Sequence, residues 1–88
     1  MLGEKELMDI AEDYAEQHRS WSCSYQLVYI QKSQFLDGYY DVKYRVVDQN
    51  GREIDGALFM EIDEQSGNII TLEELIKIKM RLEESRAQ

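Results

Sequence analysis

Residues 39–70 read YYDVKYRVVDQNGREIDGALFMEIDEQSGNII, and this stretch decides the fold. Along its first half, Asp41, Lys43 and Arg45 alternate with apolar side chains. The apolar positions are Tyr40, Val42, Tyr44 and Val46, and a second alternating set follows at Leu58, Met60 and Ile62. Because successive side chains of a strand point to opposite faces, this pattern predicts strands of an antiparallel sheet with one covered face.

Three glycine-containing positions divide this stretch. Asn50 and Gly51 both tolerate positive φ, so they predict a two-residue type I′ hairpin turn. Gly56 predicts a bulge or bend inside the next strand. Ser66 and Gly67 predict a second reversal of the chain. The stretch therefore reads as a meander.

A helix is predicted on each side of the sheet segment. The spacing of Leu7, Ile10, Ala11 and Tyr14 predicts a helix over residues 3–18 with one apolar stripe. Thr71, followed three residues later by a glutamate, predicts a capped start for a helix over residues 72–85. The apolar residues of this second helix cover a broad arc: Leu72, Leu75, Ile76, Ile78, Met80 and Leu82.

Residues 21–32 alternate as one more long strand before the meander. We expect one side of this strand to face the first helix: Trp21, Cys23, Tyr25, Leu27 and Tyr29. Val28 and Ile30 then lie on the opposite face. The predicted fold class is α+β, in which an N-terminal helix packs on a three- to four-stranded antiparallel meander and a C-terminal helix follows. The second helix either flanks the first or crosses the other face of the sheet.

Length and charge limit the classes of function. Eighty-eight residues predict a single domain over 1–88, and a formal net charge of −8 disfavours direct binding to nucleic acid or to anionic membranes. The same charge permits a basic partner, although acidity also simply keeps a small protein soluble. A single cysteine, with no signal peptide and no apolar run long enough for a bilayer, predicts a cytoplasmic protein.

The candidate reactive residues are few. His18 is the single histidine and lies at a helix end, where we expect a capping or half-buried structural role. Cys23 is expected to be a buried, inert thiol. The run Asp48–Gly51 begins like a calcium loop, but its glycine comes too early and no glutamate falls at the twelfth position. We therefore expect no catalytic residue, no metal ion and no cofactor, and a protein that is not an enzyme.

Two surfaces remain as candidates for binding. The sheet face opposite the first helix combines apolar and aromatic residues with bases, as protein interfaces do. Its predicted interface residues are Val28, Ile30, Tyr39, Lys43, Arg45, Val47 and Phe59. The outer side of the first helix carries the densest acidic surface: Asp9, Glu12, Asp13 and Glu16. The second helix is an equally good candidate to cover the sheet face, and both interpretations hold if the covering helix comes from a partner in a homodimer.

The end of the third predicted strand carries a family resemblance. Asp63, Ser66, Gly67 and Ile69 form an acidic-x-x-Ser-Gly-x-hydrophobic turn, after Val42, Tyr44 and Val46 in the preceding strand. Over residues 4–70 the chain resembles small bacterial cystatin-like and PepSY-like domains, in which a helix packs on an antiparallel sheet. Its C-terminal helix departs from the PepSY pattern. The resemblance, with similar shapes among small immunity proteins and cytosolic inhibitors, implies binding to another protein without catalysis.

Three hypotheses for function follow. The first is a protein-binding module of inhibitor or immunity type that also forms a homodimer. The second is an acidic nucleic-acid mimic of the phage anti-defence type, which would block a DNA- or RNA-binding protein. The third is a small-ligand-binding domain with a pocket lined by Trp21, Tyr25, Tyr40 and Tyr44. Strong salt dependence of binding would favour the mimic over the apolar sheet face.

Overall fold

The N-terminal helix lies across an antiparallel sheet in a computed structural model that describes residues 1–87. The helices and strands are α1 Glu4–Gln17, β1 Cys23–Lys32, β2 Tyr39–Asp48, β3 Glu53–Asp63, β4 Ile69–Thr71 and α2 Leu72–Ala87. The four strands are ordered β1-β2-β3-β4, and each pairs antiparallel with the next. The α+β fold predicted from the sequence is confirmed, and the sheet is a continuous meander.

The core lies between α1 and one face of the sheet, which we call the inner face. Small and medium side chains of α1 pack in this core against the alternating apolar residues of β2 and β3. The fully or nearly buried members are Leu7, Ala11, Ala15, Val42, Tyr44, Met60 and Ile62. At its centre, the buried Tyr44 hydroxyl donates a hydrogen bond of 2.6 Å to the Ala11 carbonyl oxygen. This bond joins α1 to the sheet at a fixed position.

Strand β1 corrects one sequence prediction, because its register shifts between Leu27 and Tyr29. Beyond this bulge, each residue of β1 lies on the face opposite to the one that strict alternation assigns to it. Tyr29 therefore pairs with Lys43 of β2 on the opposite face, the outer face, while Ile30 packs against the core. The sequence prediction placed these two residues the other way round, since strict alternation allows for no bulge. Trp21 was also expected to face the helix, but it precedes β1 and is 85% exposed.

The β2–β3 turn is also different from the one predicted. Gly51 has φ of 78°, but Asn50 has a negative φ, so this is not a type I′ turn. The amide N–H of Gly51 donates to the Asp48 carbonyl oxygen at 3.0 Å. The Asp48 carboxylate accepts hydrogen bonds of 2.9 Å from the amides of Asn50 and Arg52. The aspartate side chain thus organises a wider turn that ends in a left-handed glycine.

Two further glycines lie where the sequence predicts a bend and a reversal. Gly56 has φ of 59° and lies where the β2–β3 register shifts. Gly67, with φ of 79°, donates to the Asp63 carbonyl oxygen and closes the β3–β4 turn. A Cβ atom at Gly67 would come within 2.9 Å of the Ile10 side chain of α1. Glycine is therefore required at position 67 both by the backbone and by the approach of α1.

Helix α2 begins directly at the end of β4. The Thr71 hydroxyl accepts a hydrogen bond of 3.1 Å from the Glu74 amide, which confirms the predicted cap. α2 contacts β3 and β4, where Leu75 is fully buried outside the α1 core. No helix in residues 1–87 is long and apolar enough to cross a membrane. Much of α2 remains exposed, including Ile76, Met80 and Leu82.

Candidate functional site

The outer face of the sheet presents a basic and aromatic surface, which we call the outer patch: Tyr29, Lys43, Arg45 and Phe59. Strand pairing aligns Tyr29, Lys43 and Phe59 in one row across β1, β2 and β3. The Lys43 amine lies 5.9 Å from the centroid of the Tyr29 ring and 5.8 Å from that of Phe59. Two aromatic faces around one ammonium group stabilise the cation and order all three side chains.

Arg45 extends the outer patch by one row. Its guanidinium donates a hydrogen bond of 3.3 Å to the Gln26 side-chain oxygen. Within the described part of the chain, neither Arg45 nor Lys43 forms an ion pair. Phe59 is 42% exposed, which is high for a phenylalanine in the middle of a strand. The patch therefore offers two unpaired positive charges and an open aromatic ring.

The predicted interface residues do not all lie together. Tyr39, Lys43, Arg45 and Phe59 lie on the outer face, and Val28 is 50% exposed within the β1 bulge. Ile30 does not belong to this surface, because the bulge turns it into the α1 core. Val47 is only 3% exposed, so it is a buried residue and presents little surface to a partner.

The sequence left open whether the second helix covers the outer face. Strand pairing places Ile70 beside Glu61, on the outer side of β4. Leu75 and Glu61 are both buried. The main contacts of α2 with the sheet are to β3 and β4. α2 therefore covers one end of the outer face. The row of Tyr29, Lys43 and Phe59 lies beside this covered region.

A buried pair of carboxyl groups, Asp41 and Glu61, lies between the outer patch and α2. The two residues are direct partners across β2 and β3, and Glu61 is 2% exposed. One oxygen of each, Asp41 Oδ1 and Glu61 Oε2, is buried without a hydrogen-bond partner. Burial is the largest cause that raises the pKa of Glu61 to about 8; the others come from Asp41, which can accept a hydrogen bond from a protonated Glu61 and carries a negative charge beside it.

Protonation of Glu61 explains this arrangement. A proton on its carboxyl group makes it a donor, and the Asp41 carboxylate is the available acceptor across the strand pair. Sequence reasoning placed Asp41 and Glu61 on a polar strand face and did not find the pair. The signal was present, because both residues belong to the outward-facing sets of two strands joined by one hairpin. The low exposure of Glu61 keeps it from reaching a substrate.

The acidic surface predicted on α1 is present as a row of exposed side chains: Asp9, Glu12, Asp13 and Glu16. Glu16 forms an exposed ion pair of 3.4 Å with Arg19. Such exposed pairs contribute little to stability, so the row remains an accessible, negatively charged surface. It lies on the opposite side of the molecule from the outer patch, because α1 covers the inner face.

The side chains of His18 and Cys23 contact residues that are close to them in the sequence. The His18 ring stacks on Tyr14 at 4.0 Å between centroids, and its Nδ1 lies 2.9 Å from the Tyr14 carbonyl oxygen, as expected for a capping role. Cys23 is half-buried, not fully buried as predicted, because it lies at the exposed start of β1. Its Sγ is 3.5 Å from the Ser20 hydroxyl oxygen, and both residues line an open cavity of about 490 Å³.

The ligand pocket and the calcium loop considered from the sequence are not formed as binding sites. Tyr25 packs beside Tyr44 with 6.1 Å between ring centroids, but Tyr44 is fully buried in the core and Trp21 lines the open cavity near Cys23. The four rings suggested for a ligand pocket therefore do not line one pocket. At the suspected calcium loop, the Asp48 carboxylate binds backbone amides of its own turn. Within the described residues, no three His, Cys, Asp or Glu side chains converge as metal ligands would.

Comparison with known proteins adds no family to this picture. No protein-family model matches the chain, and neither the curated proteins nor the solved structures contain a significant match to it. Its class is therefore described by the fold alone, as an α+β protein built on a four-stranded antiparallel meander.

Proposed function

We propose that this chain is a non-enzymatic protein-binding module of inhibitor or immunity type, located in the cytoplasm and able to form a homodimer. The observation that carries the proposal is the outer patch, where two unpaired bases and an open aromatic ring lie side by side on a rigid sheet. Tyrosine, arginine and phenylalanine are residue types that protein interfaces favour. The resemblance to cystatin-like and PepSY-like domains supports the same class of function.

The rigidity of the patch also supports this proposal. Lys43 and Arg45 lie on β2, which is paired with β1 on one side and β3 on the other, so hydrogen bonds hold the backbone beneath the two bases from both sides. The lysine is held over two rings before any partner arrives, and less side-chain entropy is then lost on binding. Such a surface suits recognition of a folded protein or a peptide that carries acidic and apolar groups.

The test is quantitative co-purification from an extract of the cell that makes the protein. Three tagged forms are compared: wild type, the triple variant Lys43→Ala, Arg45→Ala and Phe59→Ala, and the double reversal Glu12→Lys with Glu16→Lys. A foreign protein that the triple variant loses and the double reversal retains is the expected result. Retention of every captured protein by both variants contradicts a binding role for either surface.

The acidic surface on α1 keeps one alternative, the nucleic-acid mimic. Asp9, Glu12, Asp13 and Glu16 are all exposed, as stand-ins for phosphate groups must be. In this case the double reversal abolishes capture and the triple variant does not. Binding would also weaken steeply with salt, because the contacts would be between charges exposed to solvent. The small-ligand hypothesis has less support, since the exposed Trp21 and the fully buried Tyr44 do not line one pocket.

A further inference from the structure

We propose that the outer patch is occupied by helix α2 of a second copy of this chain, and that the exchange is reciprocal. The inference rests on the proposed function in one respect, namely that the outer patch binds protein, and a second copy and a foreign partner then compete for it. It goes further by naming the occupant and the segment that docks. Each copy would then contribute both halves of the interface, as two-fold symmetry requires.

Helix α2 has one side engaged by its own sheet and a second side that is free. Leu75 on the engaged side is fully buried. At about 100° per residue, Ile76 and Met80 lie about 100° and 140° around the helix from Leu75. These two are 43% and 55% exposed. A helix with apolar residues on both sides fits between two surfaces, of which its own sheet supplies one.

The free side of α2 carries acidic residues beside its apolar ones. Glu83 and Glu84 follow Met80 by three and four residues, so they lie next to it on the helix surface; Lys77, three residues before Met80, also lies there and is ion-paired within α2. We call Ile76, Met80, Glu83 and Glu84 the α2 stripe. Its combination of apolar groups and carboxylates complements the aromatic rings and bases of the outer patch.

The size of the contact places it among small, reversible interfaces. Residues 73–84 of α2 span about 18 Å, and a third of the helix surface is about 13 Å wide, which makes about 240 Å² per helix. Two helices and the two sheet surfaces that receive them together bury about 1,000 Å², the lower limit for a specific interface. We therefore expect a reversible dimer with a Kd on the order of 10 µM.

The first test is the solution mass of the full chain by light scattering, from about 1 µM to about 300 µM, a range that brackets the expected Kd. Met80→Glu places a charge in the centre of the α2 stripe and is expected to weaken the dimer by at least about 100-fold. Met8→Glu is the matched control, because Met8 is 48% exposed on α1, away from the patch. A wild-type monomer throughout, or equal weakening by both variants, overturns the proposal.

The second test exchanges charges between the two halves of the interface. Lys43→Glu alone, and Glu83→Lys with Glu84→Lys alone, should each weaken the dimer by about 10-fold, because two contacts per dimer become repulsive. An equimolar mixture of the two variants should restore dimers, since each mixed pair then has one native contact and one exchanged contact. A mixture that stays as weak as its components contradicts docking of α2 on the outer patch.

These tests separate the inference from the proposed function. A wild-type monomer that still captures a foreign protein through Lys43, Arg45 and Phe59 overturns the dimer and leaves the binding module intact. A dimer that shows the charge exchange but captures no foreign protein establishes the inference and contradicts an inhibitor or immunity role. In this second case the outer face serves in self-association.

Discussion

Replacement of Glu61 by glutamine should make the protein more stable at pH 8, although a buried side chain is changed. The folded protein holds a proton on Glu61 up to a pKa of about 8, whereas the ordinary value is 4.5. Between these two values the unfolded chain binds fewer protons than the folded chain, so stability falls as pH rises. Each unit of difference is worth about 1.4 kcal/mol, which makes a loss of about 3 kcal/mol between pH 5 and pH 8 for the wild type.

Glutamine cannot ionise, and its amide can donate to Asp41 as the protonated glutamate does. Urea denaturation at one protein concentration, from pH 5 to pH 8, measures the effect. Glu61→Gln should flatten the profile and exceed the wild type by about 3 kcal/mol at pH 8. The matched control is Glu53→Gln, which removes the same charge from an exposed position of β3 and should keep the wild-type slope. Parallel profiles for wild type and Glu61→Gln would refute the assignment of the proton.

Four further variants test the turns, the cap and the packing around the sheet, each by the free energy of unfolding. Tyr44→Phe should cost about 1 kcal/mol, because the Ala11 carbonyl oxygen in the core loses its hydrogen-bond donor. No loss would mean that this bond does not hold α1 in place. Gly51→Ala should cost about 1 kcal/mol, because alanine is strained at the positive φ of this position. Gly67→Ala should cost about 2–3 kcal/mol, because its new methyl group also meets an α1 side chain. Equal losses would contradict the close approach of α1. Thr71→Ala should cost about 1 kcal/mol by loss of the α2 cap, and unchanged helical circular dichroism and stability would argue against that cap.

The sequence predicted the meander because its signals were local. Alternation in β2 and β3 placed Val42 and Tyr44 in the core, and the threonine cap located the start of α2 within a residue. The bulge after Leu27 was not predictable in this way, since it adds one residue without a glycine or proline to mark it. It moved Tyr29 into the outer patch and Ile30 out of it, so the site was predicted less well than the fold.

The carboxyl pair shows a second limit of local reasoning. Asp41 and Glu61 are twenty residues apart, and each was correctly placed on a polar strand face. Glu61 is 2% exposed on β3, one of the strands that α2 contacts, and neither strand pattern contains that contact. Val47 is a further case, because alternation assigned it to a binding surface and it is buried. Periodicity therefore predicts which face a side chain is on, but not what covers that face.

The central claim is that α2 of one copy docks on the outer patch of another, and the mixed charge-exchange experiment tests it most directly. Lys43→Glu and the Glu83→Lys, Glu84→Lys variant are each measured alone and as an equimolar mixture, by light scattering near the wild-type Kd. We expect a mass close to the chain mass of 10.4 kDa for each variant alone, and for the mixture the same mass as the wild type at that concentration, about midway between monomer and dimer. A mixture that remains at the monomer mass, while the wild type dimerises, would contradict it.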